Sequence, residues 1–309
     1  MSVVDDLTGV PPGTARRASV AVIGTGAIGR DLVGKVLRSE LLECVLVAGR
    51  NPGSAGLRHA AELGCPTSAD GIDAVLAASP AVDIVLDATS AMAHVEHWRL
   101  LEPLGPLVID MTPSKVGQMV VPTVTGMQPP AVRNVNLISC GGQASVPIAH
   151  ALADRFAVEY IEVVSTVAST IAGRATRLNL DEYVATTAHA VTAFSGVRDT
   201  KAVLNISPAV PPAPFRTAVH AIAPGAGAEA VRAVVAEAAD RVRSVQPGYE
   251  VVACTVSGDR ITVSVEVVAD SDVLPPYAGN LDIINAAAIM VAEQHAARLF
   301  PAARTRAGR

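Results

Sequence analysis

The 309 residues carry 24 Lys and Arg against 29 Asp and Glu, a net charge of −5, and half of them are hydrophobic. The basic residues are scattered and aromatics reach only 3%, which removes the electrostatic and stacking case for nucleic acid and for an anionic membrane surface. No run approaches the roughly 18 apolar residues that a membrane span needs, and Met1 to Arg17 lacks an apolar signal core, so a cytoplasmic protein is expected. Cys44, Cys65, Cys140 and Cys254 show no metal-ligand spacing, and reduced thiols without a structural metal are expected.

Residues 1–17 read as a flexible leader. The β-rich run Ala18 to Ile23 then ends in Gly24-Thr25-Gly26-Ala27-Ile28-Gly29 and passes into the helical pattern Leu32, Val33, Val36, Leu37. This is GxGxxG between a strand and a helix, where the glycines permit a tight turn, a close approach to a pyrophosphate and tight helix packing. The next strand, Cys44 to Ala48, ends at Gly49-Arg50-Asn51. Here an acidic residue would accept from a ribose 2′-hydroxyl, whereas Arg50 would suit a 2′-phosphate. NADP, or tolerance of both NAD and NADP, is expected, with a solvated loop arginine as the equal alternative.

Helices through 57–63 and 72–78, then strands over 83–87, 107–110 and 132–138, continue the alternation that makes a doubly wound parallel sheet. That sheet delivers Ser139-Cys140-Gly141-Gly142 to the edge where the glycine loop lies. A helix is expected over 147–155. Beyond it come strands over 158–167, 202–206, 216–223, 250–256 and 260–268, with helices near 180–195 and 227–244, as in an α+β domain. Ser257-Gly258-Asp259 reads as a hairpin turn. The expected division is a dinucleotide-binding Rossmann domain over 18–145, an α+β substrate domain over 146–275, a helix over 276–298 packing back on the first domain, and a tail over 299–309.

Cys140 occupies a strand-to-helix turn, where helix N–H groups stabilise a thiolate and an oxyanion. By itself it is equally well a small buried residue. The seven histidines offer no comparable arrangement, and His94, His150, His189 and His220 read as structural or surface residues.

Taken together, Gly24 to Leu32, Asp87-Ala88-Thr89-Ser90-Ala91, Ile109-Asp110-Met111-Thr112-Pro113, Cys140 to Ala144, Asn179-Leu180-Asp181-Glu182-Tyr183 and Tyr277 to Ile283 appear in one order. Over about residues 18–295 the chain resembles the acylating, CoA-dependent acetaldehyde dehydrogenases that partner 4-hydroxy-2-oxovalerate aldolases. The resemblance implies a Rossmann domain with a dimerising α+β domain, a homodimer, an aldolase partner, an acyl-thioester on Cys140, nicotinamide redox chemistry and coenzyme A as co-substrate. It also implies cofactor contacts at Thr25 to Ile28, in the loop Ser169-Thr170-Ile171-Ala172-Gly173-Arg174-Ala175-Thr176-Arg177 and at Asn280, with Asp181 assisting the thiol. Asp181 is equally well a capping residue of its helix. Two other readings stay open: a semialdehyde or glyceraldehyde-phosphate type dehydrogenase using phosphate or water, with Arg174 and Arg177 supplying charge, and a non-catalytic NAD(P)-binding scaffold.

Overall fold

The computed structural model describes residues 16–129, 131–173, 177 and 179–301. Strands β1 (Ala18–Ile23), β2 (Leu42–Ala48), β3 (Thr67–Ser68), β4 (Ile84–Asp87), β5 (Leu107–Asp110), β6 (Gln118–Met119) and β7 (Asn134–Asn136) form a seven-stranded sheet in the order β3-β2-β1-β4-β5-β7-β6. All its pairings are parallel. Helices α1 (Ala27–Arg38), α2 (Ala55–Glu62), α3 (Ile72–Leu76), α4 (Ala91–Leu101) and α5 (Pro122–Thr125) connect them.

Every residue of β4 and β5 is buried, as expected of strands covered on both faces. Alternation divides the apolar side chains between the two sides of this sheet. Val20, Val22, Ile84, Leu86 and Ile109 join Leu32 and Val36 of α1 in one core, while Ala21, Ile23, Val85 and Val108 join Val75 and Leu101 in another.

Helix α6 (Cys140–Arg155) leads into a second sheet of β8 (Tyr160–Ala168), β9 (Asp199–Ser207), β10 (Phe215–Ile222), β11 (Tyr249–Ser257) and β12 (Arg260–Val267), in the order β11-β12-β10-β8-β9. The β8/β9 pair is parallel and the others antiparallel. Helices α6, α7 (Leu180–Ser195) and α8 (Ala228–Arg243) share a single core with its strands, including Leu152, Val191, Val235, Val219 and Val263. The fold is therefore the expected Rossmann-like parallel sheet followed by a second, α+β sheet.

The last helix, α9 (Gly279–Leu299), gives Ile284, Ala288 and Val291 to the first core and Ile283 to the second. Polar bonds fix it to α1. Lys35 Nζ lies 2.7 Å from the fully buried Asp282, and Asn285 Nδ2 donates to Asp31 Oδ2 at 2.6 Å.

Besides the short β3, β6 and α5, which the sequence pattern did not reveal, two elements differ from the sequence expectation. Helix α6 begins at Cys140 rather than at 147, so Pro147 stands inside it. The missing N–H forfeits the bond to the Gln143 carbonyl, but burial of Val146, Ile148, Ala149 and Leu152 against the second sheet outweighs that loss. The other is α4, which sequence periodicity did not reveal; its interior holds only Ala91, His94 and Leu101.

Tyr249, fully buried on β11, donates its hydroxyl to the Ala144 carbonyl of α6 at 2.8 Å. Tyr249→Phe removes the donor and forfeits this bond, so urea denaturation should show a loss of about 1 kcal/mol. An unchanged midpoint would show that this link between β11 and α6 contributes nothing.

Candidate active site

Three residues separate the end of β7 from Cys140, and each is constrained. Ile138 has φ 66°, a left-handed conformation that is a true outlier for a β-branched residue. Its N–H donates to Asn136 Oδ1 at 2.9 Å. Asn136 Nδ2 in turn donates to Asp110 Oδ2 at 2.7 Å and to the Thr112 carbonyl at 2.9 Å. Asp110 and Asn136 are both fully buried, and burial pushes the Asp110 carboxyl up to about 6, with the charge of His94 pulling the other way.

Ser139 then caps α6, its hydroxyl oxygen accepting from Gly142 N–H at 2.9 Å. Its hydroxyl also meets Thr187 Oγ1 at 2.7 Å, which docks α7 against the turn. Cys140 follows as the first residue of α6, half-buried and free of any disulfide. Loss of hydration around the sulfur pushes its pKa up. Tyr183, the N–H groups of Gly141 and Cys140, and the Asn280 side chain pull it back.

The thiol opens into a cleft between the two sheets, a concave and mostly apolar site of the kind that holds small ligands. Ile28 of the glycine-loop helix, Thr89 and Ser90 after β4, Thr112 after β5, Tyr183 on α7 and Asn280 on α9 line it with Cys140. These are the carboxyl ends of β4 and β5 in the parallel sheet, the side on which such sheets hold ligands.

Residues for a dinucleotide are present. Gly24 sits at φ 108°, where a Cβ would meet the Ala88 carbonyl oxygen at 2.5 Å, and a Cβ on Gly29 would strike the Gly24 carbonyl oxygen at 1.9 Å. In front of Gly26 there is open space. Gly26 is the N-cap of α1, which has no side-chain cap and no acid in its first turn, so its N–H groups are left for an anion. In the cleft, Asn280 Oδ1 and Thr112 Oγ1 are buried without a hydrogen-bond partner among the described residues. An unpaired buried acceptor beside the thiol suits the carboxamide N–H of a nicotinamide.

The relatives point the same way. Residues 140–275 match the family described as prokaryotic acetaldehyde dehydrogenase, dimerisation. The acetaldehyde dehydrogenase of Streptomyces griseus is 70% identical over 305 residues, covering 99% of both chains. The chain belongs to the acetaldehyde dehydrogenase family, a family of oxidoreductases. The Pectobacterium atrosepticum member is 48% identical over 282 residues, covering 90% of this chain and 95% of its own. The Spirochaeta aurantia member is 44% identical over 287 residues, covering 92% and 97%.

In this member of the family, Cys140, Asn280 and Ile28 meet in one cleft. Ile171 packs against the cluster of Leu274, Ala278 and Leu281 that also receives Ala27 and Ile28, so the loop after β8 and the glycine-loop helix share one apolar support. Ser169 N–H bonds the Ser207 carbonyl, and Arg177 folds back onto the Ala172 and Ser169 carbonyls at 3.0 and 3.4 Å. Thr170 and Gly173 are exposed. Arg174, Ala175 and Thr176 lie outside the described residues. Thr25 Oγ1 accepts from the Ser54 hydroxyl at 2.8 Å, closing the glycine loop onto the start of α2. Arg50 is exposed beyond β2, its stem crossing Gly71, and Asn51 Oδ1 accepts from Gly53 N–H at 2.9 Å.

Asp181 is exposed in the first turn of α7. The side chain that α7 brings to the sulfur is Tyr183, whose hydroxyl lies 3.6 Å from Sγ. Sequence reasoning also passed over the buried group under the cleft: Asp87 accepts from Thr89 N–H, and from His94 and His97 Nδ1 at 2.9 and 2.8 Å. Burial would raise the Asp87 pKa, but these donors hold it well below the usual carboxylate range.

Asn136→Ala leaves Ile138 N–H without an acceptor and removes one of the three donors that hold Asp110. A loss of about 2–3 kcal/mol in urea denaturation, with slower iodoacetamide labelling of Cys140, is the expected outcome; undiminished stability and labelling would mean that the turn holds itself.

Proposed function

We propose that this protein is an acylating aldehyde dehydrogenase, interconverting a short-chain aldehyde and an acyl-CoA through a thioester on Cys140. The observation that carries this reading is the placement of one free thiol, at a helix N-terminus, in the cleft that Asn280 and the glycine-loop helix share. A helix N-terminus favours the thiolate, and a thiolate exchanges readily with a thioester. The relatives named acetaldehyde dehydrogenase support the aldehyde as substrate.

Gly24 to Gly29 would hold the pyrophosphate, and Asn280 with the loop after β8 the nicotinamide end. A nicotinamide bound there supplies or accepts the hydride. Cys140 does the carbon chemistry. Its thiolate adds to the acyl carbon of an acyl-CoA, the C–S bond to CoA breaks, and CoA leaves as a thiolate that takes a proton. In the opposite sense Cys140 adds to an aldehyde. The oxyanion then formed lies beside the Asn280 amide and the N–H of Cys140, the donors already directed at the sulfur. The second sheet, within the matched dimerisation family, forms the homodimer contact in this reading.

Arg50, 21 residues after Gly29, stands where β2 ends, next to the uncharged Asn51. A guanidinium pairs with a 2′-phosphate through two charge-assisted hydrogen bonds, and NADP(H) should bind at least as well as NAD(H).

The direct test is turnover of a panel of acyl-CoAs with NADH and with NADPH. Short acyl-CoAs should be reduced, and Cys140→Ser should abolish this while dinucleotide binding, followed by quenching of the Trp98 fluorescence or by calorimetry, persists. Activity that needs phosphate in place of CoA would transfer the protein to the phosphorylating class. Arg50→Ala should raise the KM for NADPH about tenfold, ~1.4 kcal/mol, and leave that for NADH nearly unchanged. An equal effect on both cofactors would make Arg50 a solvated loop residue.

A further inference from the structure

A thiol nucleophile needs something to favour its ionised form, and among the described residues the lining of the Cys140 cleft includes no carboxylate, imidazole, Lys or Arg. What reaches the sulfur is a row of hydroxyls from three elements. Tyr183 Oη, on α7, is 3.6 Å from Cys140 Sγ and accepts from Gly141 N–H at 3.0 Å. Ser165 Oγ, on β8, stands beside Tyr183 Oη, the two hydroxyls converging on the space in front of Gly141. Thr217, on β10, meets Ser165 Oγ at 3.0 Å. Tyr183 is buried, and Ser165 and Thr217 are 1% and 0% exposed.

We propose that Tyr183, aligned by Ser165 and Thr217 acting as positioning residues, holds the Cys140 thiolate by a row of hydroxyl donors directed at the sulfur. The inference rests on the acyl-transfer reading of Cys140 and names the group that prepares its nucleophile.

Donor and acceptor counts fit this assignment. Each hydroxyl has one hydrogen and two lone pairs. With the thiolate present, Thr217 donates to Ser165, Ser165 to Tyr183, and Tyr183 to Sγ, while Tyr183 also accepts from Gly141 N–H. With the thiol protonated, S–H donates to Tyr183, and Tyr183 can donate to Ser165. The row therefore serves both states by rotating hydrogens, and the proton released on ionisation goes to water in the cleft. Hydrogen bonds in such a row polarise one another. Burial foremost, and then the neighbouring Cys140 charge, raise the Tyr183 pKa well above its ordinary value, so the phenol stays a donor.

Gly141 is part of the same arrangement. A Cβ there would lie 2.2 Å from Tyr183 Oη and 2.5 Å from Ser165 Oγ, so the hydroxyls approach the helix terminus only because this residue has no side chain. The charged and titratable groups on the packed elements are otherwise engaged or turned away. Asp181 and Glu182 on α7 are exposed. On β8 Glu162 pairs with Lys201, and on β10 Arg216 pairs with Glu266. His220 bonds Thr262, Asp282 on α9 pairs with Lys35, and Asp110 is taken up by Asn136, Ser114 and the Thr112 N–H.

The test is the pH dependence of iodoacetamide alkylation at Cys140 in the full-length protein, with the labelled peptide identified by mass spectrometry. No dinucleotide or acyl-CoA is added, so the result stands apart from whether acyl-CoA is turned over. Tyr183→Phe should move the midpoint up by about one pH unit, a tenfold smaller thiolate fraction below both midpoints. Ser165→Ala and Thr217→Val should each move it up by a smaller, measurable amount, and Thr217→Ser, which keeps the hydroxyl, should stay with the wild type. A wild-type midpoint in Tyr183→Phe would overturn the assignment. Shifts in Tyr183→Phe with none in Ser165→Ala and Thr217→Val would overturn the row and leave Tyr183 acting alone. A thermal melt of each variant separates these results from unfolding, and Thr217→Val, two hydroxyls from the sulfur, keeps the row testable should Tyr183→Phe fold poorly.

Discussion

Everything at the cleft depends on Ile138 being held in a left-handed conformation. Such a residue costs roughly 1–3 kcal/mol, and here the cost is met by one hydrogen bond to Asn136, itself tied to the buried Asp110. Without that turn the chain would leave β7 in line with the strand, and Ser139 could not cap α6. With it, Ser139, Cys140 and Gly141 are placed where the N-terminus of α6 opens between the two sheets. The parallel sheet contributes the cofactor side and the second sheet contributes the hydroxyls behind the thiol, so the nucleophile belongs to the junction rather than to either half.

The junction is kept rigid from two directions. Ser139 and Thr187 dock α7 against the start of α6, and Thr187 also donates to the Tyr183 carbonyl at 2.6 Å, fixing the turn that carries the Tyr183 ring. On the other side α9 is bound to α1 through Lys35, Asp282, Asn285 and Asp31, while Asp282 also accepts from Gln246 at 2.7 Å. Asn280 stands in the first turn of α9, so ionic bonds at the far side of α1 position an amide at the thiol.

Much of this was legible in the sequence because the signals were local. The glycine loop, the alternation of strands and helices, the hairpin at Ser257 to Asp259 and the turn bearing Cys140 each follow from spacing over a few residues. Tyr183 was not legible in the same way. Asp181 and Tyr183 are two residues apart on a helix and so face different directions, and which of them meets the sulfur is decided by packing. The signal lay in the stripe Tyr183, Thr186, Thr187, Ala190, Val191, all buried at helical spacing. Helix α4 was hidden because its buried face is built on a histidine bonded to Asp87. The onset of α6 was hidden because Gly141, Gly142 and Pro147 read as breakers until the packing around them is known.

The central claim is that Cys140 carries an acyl group during the reaction. Intact-protein mass spectrometry after mixing the protein with a short acyl-CoA in the absence of reduced nicotinamide tests it most directly. The account predicts one adduct with the mass of the acyl group, mapped to the peptide containing Cys140 and absent from Cys140→Ser. An unmodified protein, or an adduct that survives in Cys140→Ser, would contradict it.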